Sequence, residues 1–454
     1  MDPVKIFIEK LLYPVMEKKN GNRTRAHIRE LRESCSHSPR QLKEEQKAAL
    51  TRLLLHCVRN VPAYKGFAHL EQLITEDPYA ALREFPLLDK TGFRADPDSF
   101  IADGVAKSSL IPNMSGGSTG QPLRFFMDRV TVEYYEAARW RGLSWYGITP
   151  GSRSVMIWGN PFELSKMEGK KFRAKEKYLK NRQVIPAYDL REEAMADHVR
   201  LIESYKPEFI YGYASALALF SRLMLKQGLK LTVPLKAVVS TSETLYPDDR
   251  ELIAEAFHAP VVNEYGARDG GIIAMECPRG GLHLSAENLV AEVISLTDHQ
   301  PVAPGERGVL AVTDLHNLTQ PRLRYLLSDE VALSPENCRC GLPQPCLEQV
   351  FGREDDIFLG LDGRFVNSVA FLSSIKRLEE LLAFQIIQEA PERCRVLMVT
   401  ENKRFPARLE GVKADYASLL PGTEFIWELV DEIPPTASGK TRYSVRRFPL
   451  ERYK

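Results

Sequence analysis

The sequence predicts an α/β protein: a large amino-terminal domain on a mostly parallel sheet with a β subdomain, then a small α+β carboxy-terminal domain. Three observations lead there. From Ser154 to Gly266, short β-branched or aromatic runs (SVMIWGN, EFIYGY, LKAVVSTSE, VVNEYG) alternate with helix-like stretches (EEAMADHVRLIESY, SALALFSRLMLKQG, DDRELIAEAFHA). That alternation is the pattern of parallel strands joined by helical crossovers. Around Leu284 the pattern turns to LSAENLVAEVISL, GVLAVTDL and RLRYLLSDEV, strands with turns at Pro304-Gly305 and Asn317. After Gly352-Arg353-Glu354-Asp355-Asp356, a last block (SVAFLSSIKRLEELL, FQIIQEA, CRVLMVT, FIWELVDEI) mixes helix and strand and ends in the loop PPTASGK.

A chain of 454 residues exceeds one ordinary core, and about 150 residues per domain sets an expectation of three parts. These are placed at 1–107, 108–355 and 356–454. The first part reads as helix and connector. IFIEKLLYPVMEKK is followed by QLKEEQKAALTRLLLHCVRN, whose Ala49, Leu50, Leu53, Leu54 and Cys57 recur at helical spacing until Asn60, Val61 and Pro62 stop it.

Composition removes several function classes. With 61 basic and 60 acidic residues the net charge is +1, and 27% charged with 44% hydrophobic residues describes neither a nucleic-acid coat nor a disordered chain. No run approaches the roughly 18 apolar residues that would span a bilayer. The opening MDPVKIFIEKLLYPVMEKK carries acidic residues on both sides of its apolar stretch and no small-residue cleavage site, unlike a signal peptide. A cytoplasmic protein with reduced cysteines is expected, so its seven cysteines read as thiols or metal ligands. Charge is nonetheless uneven: residues 1–60 hold 13 basic against 7 acidic side chains, and Ser165 to Arg182 hold 8 against 2. Such runs are solvated faces or docks for an anionic partner.

Two loops carry the chemistry. Ser115-Gly116-Gly117-Ser118-Thr119-Gly120-Gln121-Pro122 precedes the apolar run LRFFM; its glycines let backbone N–H groups wrap a phosphate and its hydroxyls add donors. It lacks the Gly-Lys-Ser/Thr ending of a Walker loop, which disfavours an ordinary ATPase or GTPase. Pro435-Thr436-Ala437-Ser438-Gly439-Lys440-Thr441-Arg442 sets a lysine behind a small turn, able to swing a point charge onto an anion.

These loops, with Gly352 to Asp356, Tyr265-Gly266-Ala267-Arg268-Asp269, Thr313-Asp314-Leu315 and Arg324-Tyr325-Leu326-Leu327-Ser328-Asp329, resemble in order the motifs of the adenylate-forming acid ligases. NVPAYKGF and FPLLDKTGFR, the short length and the brief last block are similar to the phenylacetate-CoA ligase branch, including its polysaccharide-linked relatives. The resemblance covers roughly residues 45 to 450 and implies ATP, Mg2+ and coenzyme A, an acyl-adenylate intermediate and a mobile carboxy-terminal domain. It implies Lys440 as the catalytic cation at the α-phosphate, and Ser115, Gly116, Gly117, Ser118, Thr119 and Gly120 around the leaving pyrophosphate. Asp329 would take the ribose hydroxyls, Tyr265 with Gly266 would lie against adenine, and Arg353 would reach ribose or phosphate. Ser242 and Glu243 would lie beside adenine, Asp269 would hold Mg2+ and Asp355 would be the hinge. Gln121 for a basic residue, Asp269 for Glu and Ser328 for Gly depart from the pattern and keep a non-catalytic nucleotide-binding relative as an alternative.

Cys277 and His283, with Cys338 and Cys340 and Cys346 soon after, offer thiolates and an imidazole suited to a closed tetrahedral Zn2+ site; some members of the branch carry a structural zinc at similar places. The acid pocket is read at Trp158, Tyr211, Gly212, Tyr213 and Ala214, near strand ends where α/β folds bind ligands. YGYAS has no Asp to pair with an α-amino group, which favours an aryl or otherwise apolar carboxylic acid. The acceptor is expected to be coenzyme A, with an amine or hydroxyl on a saccharide as the competitor. No nucleic acid is expected as partner, and a homodimer is allowed.

Overall fold

The computed structural model describes residues 3–114, 123–158, 170–187, 190–295, 298–353, 357–363, 365–367, 369–375, 378, 380–400, 404–434 and 442–448. It divides into two compact units, Met1–Val350 and Phe351–Lys454.

The first unit is organised by an eleven-stranded sheet. After the antiparallel hairpin β1 (Ile111–Met114) and β2 (Arg124–Met127), four crossover-connected strands follow: β3 (Ser154–Trp158), β4 (Arg182–Pro186), β5 (Phe209–Tyr213) and β6 (Ala237–Thr241). With β7 (Val261–Ala267) they form a parallel block, in which Gly212 pairs with Ser240 and Thr241 with Glu264. The helices Met195–Tyr205, Ala214–Lys226 and Pro247–Phe257 bury Ile202, Leu217, Phe220 and Phe257 against one face. The helix Arg129–Ser144, preceded by an Asp128 side chain that caps Thr131, packs near Tyr211, Val239 and Val262 on the other.

Antiparallel strands continue the same sheet: β8 (Gly271–Glu276), β9 (Leu282–Leu284), β10 (Leu289–Ile294), β11 (Arg307–Asp314), β12 (Tyr325–Leu333) and β13 (Cys346–Arg353). The order is β10-β11-β12-β13-β9-β8-β7-β6-β5-β3-β4, so the expected β subdomain extends the parallel block without a break. The amino-terminal helices share its core. Helix Pro39–Asn60, opened by a reciprocal Ser38–Gln41 capping box, buries Leu50, Leu53 and Leu54 in one cluster with Leu282, Leu289, Val293 and Leu310.

In the second unit, β14 (Ile357–Leu359) pairs with β15 (Phe365–Asn367), and a four-stranded sheet has the order β18-β17-β16-β19, with β16 (Leu381–Ala390), β17 (Arg393–Thr400), β18 (Glu424–Leu429) and β19 (Ser444–Arg446). Helices Val369–Ile375 and Leu409–Leu419 cover it through Phe371 and Tyr416, whose rings meet edge-on at 4.8 Å. Within SVAFLSSIKRLEELL the helix Val369–Ile375 gives way to strand β16, which starts at Leu381.

Candidate active site

Two of the expected nucleotide residues, Tyr265 and Asp329, meet where the sheet curls. Tyr265 on β7 and Asp329 on β12 are four strand spacings apart, about 19 Å in a flat sheet. Yet the Tyr265 hydroxyl donates to Asp329 Oδ2 at 2.8 Å. Further contacts close the same curl: the Tyr325 hydroxyl donates to Asp269 Oδ2 at 2.9 Å, and Arg322 donates to the Asp269 carbonyl at 2.9 Å. Arg322 is itself buried, its guanidinium 4.8 Å from the Phe125 ring centroid and 5.4 Å from that of Tyr325. Phe125 lies on β2, so the hairpin carrying the glycine-rich loop is seated on this curl, and Arg268 Nη1 reaches the carbonyl of Met114 at the loop's root.

The flanking motifs brace the curl. Leu88 bonds across the start of β12 through Arg324 and Leu326, and the Tyr64 hydroxyl accepts from Leu323 N at 3.0 Å. Arg324, left-handed at φ +49°, spends its guanidinium on Glu292 and the carbonyls of Arg83 and Phe85. The Tyr135 hydroxyl donates to Asp314 Oδ2 at 2.5 Å, and burial raises the Asp314 carboxyl above its ordinary range.

The carboxyl ends of β3, β5, β6 and β7 form a second cluster. Trp158 stacks obliquely on Tyr213, centroids 4.1 Å apart, with Tyr211 at 5.8 Å. Gly212 has a structural reason, since a Cβ there would lie 2.9 Å from the Ile157 carbonyl on β3. Ala214 opens the helix Ala214–Lys226, and Glu243 Oε2 accepts from Ser215 N at 2.8 Å, complementing that helix's amino terminus. Ser242 before it stands at φ +68°, strained backbone for a non-glycine residue in a loop already read as part of the site.

Sequence reasoning missed the group these side chains surround. Glu264, 1% exposed in its side chain, accepts from the Tyr211 hydroxyl at 2.6 Å, Thr241 Oγ1 at 3.1 Å and Arg139 Nε at 3.1 Å. Burial beside this carboxylate raises the Tyr211 phenol, which stays a donor. A carboxylate inside the apolar run VVNEYG was the available signal; its partner sits on the helix Arg129–Ser144, which the sequence reading left unassigned.

Cys277, His283, Cys338 and Cys340 place their ligand atoms within 4.8 Å of one another. The 3.7 Å between Cys277 and Cys338 sulfurs equals the edge of a tetrahedron with metal–sulfur bonds of about 2.3 Å. His283 Nδ1 is bonded to the Gln344 carbonyl at 2.8 Å, leaving Nε2 3.1 Å from Cys340 Sγ. Backbone N–H groups of Arg279 and Leu342 point at the Cys277 and Cys340 sulfurs. Gly281 leaves the needed room: a Cβ there would lie 2.5 Å from Cys338 Sγ. Cys346 Sγ stands behind, 3.4 Å from His283 Nδ1.

Ser115, Gly116, Gly117, Ser118, Thr119, Gly120, Asp355 and Lys440 lie outside the described residues, as do the side chains of Arg353 and Ser328. Gly266 is held in β7, where a Cβ would meet the Gly271 carbonyl at 2.7 Å.

The family model of the CapK C-terminal domain matches residues 358–447. Protein CapK of Staphylococcus aureus is 25% identical over 378 residues, 81% of each chain. The chain is a homologue of CapK and of the phenylacetate-coenzyme A ligases. Among the latter, the Thermus thermophilus enzyme is 26% identical over 342 residues, 71% of this chain and 72% of the other. The fold is that of the adenylate-forming ligases: 2-hydroxyisobutyryl-CoA ligase in its postadenylation state superposes with a TM-score of 0.68 at 20% identity over 90% of both chains. Among the described residues, no helix is long and apolar enough to cross a membrane.

Proposed function

We propose that this CapK and phenylacetate-coenzyme A ligase homologue is an ATP- and Mg2+-dependent carboxylic acid ligase that forms an acyl-adenylate and passes the acyl group to coenzyme A. The observation that carries this reading is the curl that joins Tyr265, Asp329, Asp269 and Tyr325 beside the root of the glycine-rich loop. In this reading Asp329 receives the ribose hydroxyls, its orientation set by Tyr265, and Tyr265 and Gly266 flank adenine with Ser242 and Glu243. Residues 115–120 hold the β- and γ-phosphates, Arg353 contacts ribose or phosphate, and Asp355 is the hinge. Attack of one anion on another needs positive charge at the α-phosphate, and Lys440 supplies it. Asp269 is the residue that would hold Mg2+, whose chemistry is to neutralise phosphate charge; Tyr325 fixes one of its carboxylate oxygens.

The carboxylic acid is assigned to the carboxyl ends of the parallel strands, at Trp158, Tyr211, Gly212, Tyr213 and Ala214, where α/β folds bind ligands. There the aromatic side chains adjoin the polar Arg139–Glu264–Tyr211 group. The relationship to CapK favours, as second reading, an amine or hydroxyl acceptor in place of coenzyme A. The Cys277, His283, Cys338 and Cys340 set fits a structural Zn2+ stapling β8 and β9 to the turn between β12 and β13. A cytoplasmic setting and a homodimer belong to this reading.

The test is pyrophosphate exchange into ATP over a panel of aryl, fatty, hydroxy, amino and sugar acids, followed by single-turnover decay of the adenylate with and without coenzyme A. Exchange with one class and thioester formation are expected. Decay unaffected by coenzyme A transfers the acyl group to the other acceptor, and no exchange with any acid returns the chain to a nucleotide-binding relative.

A further inference from the structure

Among the described residues, the amino-terminal helix has one apolar side buried and another exposed. It runs from Pro3–Phe7 through a π-helical turn at Ile8–Leu12 into Tyr13–Asn20. Its inner face is fixed to the body. Ile8 is fully buried, and a Cβ at Gly151, whose φ is +88°, would lie 3.2 Å from Ile8 Cγ2 and from the Lys5 carbonyl. Lys5 Nζ is 2.8 Å from Ser152 Oγ and 3.1 Å from Glu208.

The other sides of the helix expose Val4, Ile6, Phe7, Leu11, Val15 and Met16 by 37–57%, with Phe7, Leu11 and Val15 in line at four-residue spacing. Among the described residues twelve large apolar side chains are exposed, and these are six of them. Scattered exposed apolar residues need no explanation, but a row at helical spacing does. Every charged side chain exposed on this helix is a lysine, Lys10, Lys18 and Lys19; Glu9 is half-buried and Glu17 is turned to Arg25. The helix Lys170–Leu179 lies nearby, since Tyr13 is within electrostatic reach of Arg182 and Glu176 as well as of Glu136. It adds exposed Lys175 and Lys177, and Tyr178, which is 62% exposed.

We propose that this ridge is a membrane-surface site, by which the protein lies on an anionic bilayer with the apolar row in the acyl boundary and the lysines at the headgroups. An in-plane helix of this kind has an apolar face with aromatic and aliphatic residues and a polar face rich in lysine. Anionic lipid is the occupant that both the apolar row and the basic shoulder fit, with attraction worth roughly fivefold in partitioning per lysine. Lys175 and Lys177, from the basic stretch singled out in the sequence, find their use here. The geometry also keeps the chemistry accessible: Gly151, Ser152 and Glu208 precede β3 and β5, so the ridge sits at the amino ends of the strands, opposite the carboxyl ends to which the acid is assigned.

The test is sedimentation of the whole chain with large unilamellar vesicles of phosphatidylcholine, with and without phosphatidylglycerol. Binding is expected to the anionic vesicles, falling as salt rises. Phe7→Ser/Leu11→Ser/Val15→Ser should weaken it more than about tenfold, as should Lys10→Glu/Lys18→Glu/Lys19→Glu at low salt. All six positions are exposed, so unchanged thermal melting and pyrophosphate exchange are expected and confirm folding. Wild type that ignores anionic vesicles, or a serine variant that binds as well as wild type, overturns the proposal. So does a wild-type dimer that the serine variant converts to monomer without any vesicle binding, which would give the ridge to a second copy.

Discussion

The Tyr265 hydroxyl and Asp329 Oδ2, 2.8 Å apart, tie the end of β7 to β12 across three intervening strands. Tyr265→Phe keeps the ring and removes this donor, leaving the Asp329 carboxylate without that bond. The expected effect is weaker ATP binding by about 1 kcal/mol, roughly fivefold, with little change in the rate at saturating ATP. Asp329→Ala should weaken binding further. Calorimetric titration with ATP checks both, and equal affinity in Tyr265→Phe would detach the pair from the nucleotide.

Lys440→Ala should abolish most pyrophosphate exchange while leaving ATP binding and the melting temperature nearly unchanged. A single lysine contributes little to folding, whereas charge developing at the α-phosphate needs a cation. Exchange at the wild-type rate would remove Lys440 from the mechanism.

Arg139→Met strands Glu264, whose side chain is 1% exposed, with only the Tyr211 and Thr241 hydroxyls as donors. The expected cost is about 2–4 kcal/mol in urea unfolding, at the lower end because Arg139 itself is 29% exposed. Replacing both residues, as Arg139→Met/Glu264→Leu, should recover much of the loss because no buried charge is left alone. Additive costs would show that the two groups are not coupled.

How far the fold could be read from the sequence depended on whether the signal was local. The parallel strands and their crossover helices announce themselves by periodicity within single segments, as in EFIYGY and SALALFSRLMLKQG. The Cys277, His283, Cys338 and Cys340 cluster was legible because metal-ligating residue types are few, and the chain brings all four together. Helix Arg129–Ser144 was not legible: it buries Glu133 and Arg141, whose charges disguise the inward face until Glu287 is found opposite Arg141 at 2.8 Å. Helix Leu409–Leu419 escaped for a similar reason, showing only Leu409, Val412 and Tyr416 as its buried row. The Glu264 site needs Arg139, 125 residues away, and no local pattern contains that distance.

His316 stacks flat on Tyr134, centroids 3.4 Å apart and planes within 3°, and burial lowers its pKa to about 4. Its ordinary value is about 6.5, so below that pH the unfolded chain binds this proton more readily than the folded one. The contribution is therefore intact above pH 6.5 and lost as pH falls toward 4, by roughly 3 kcal/mol at most. His316→Phe keeps the stack and removes the proton site. Its unfolding free energy should fall less steeply than wild type between pH 6.5 and 4, and parallel curves would assign the acid limb to other groups.

The proposed zinc site makes a prediction at a residue that binds nothing. Gly281 sits between the two halves of the cluster, and a methyl group there would lie 2.5 Å from Cys338 Sγ and 3.2 Å from His283 Nε2. Neither ligand can yield without leaving the tetrahedron: His283 is held by the Gln344 carbonyl and Cys338 by its place beside Cys277. Gly281→Ala should therefore lower zinc content measured by elemental analysis, although every ligand is present. Wild type should carry about one zinc per chain. The Cys338→Ser/Cys340→Ser variant should carry almost none and melt at lower temperature, because metal binding free energy is folding free energy for the strands it joins. Chelation of wild type should reproduce the lower melting point, and added zinc should restore it in wild type while doing little for the double serine variant. Full zinc in Gly281→Ala would mean that the metal sits elsewhere than between these four side chains, and metal-free wild type with unchanged melting on zinc addition would reduce the cluster to packed thiols.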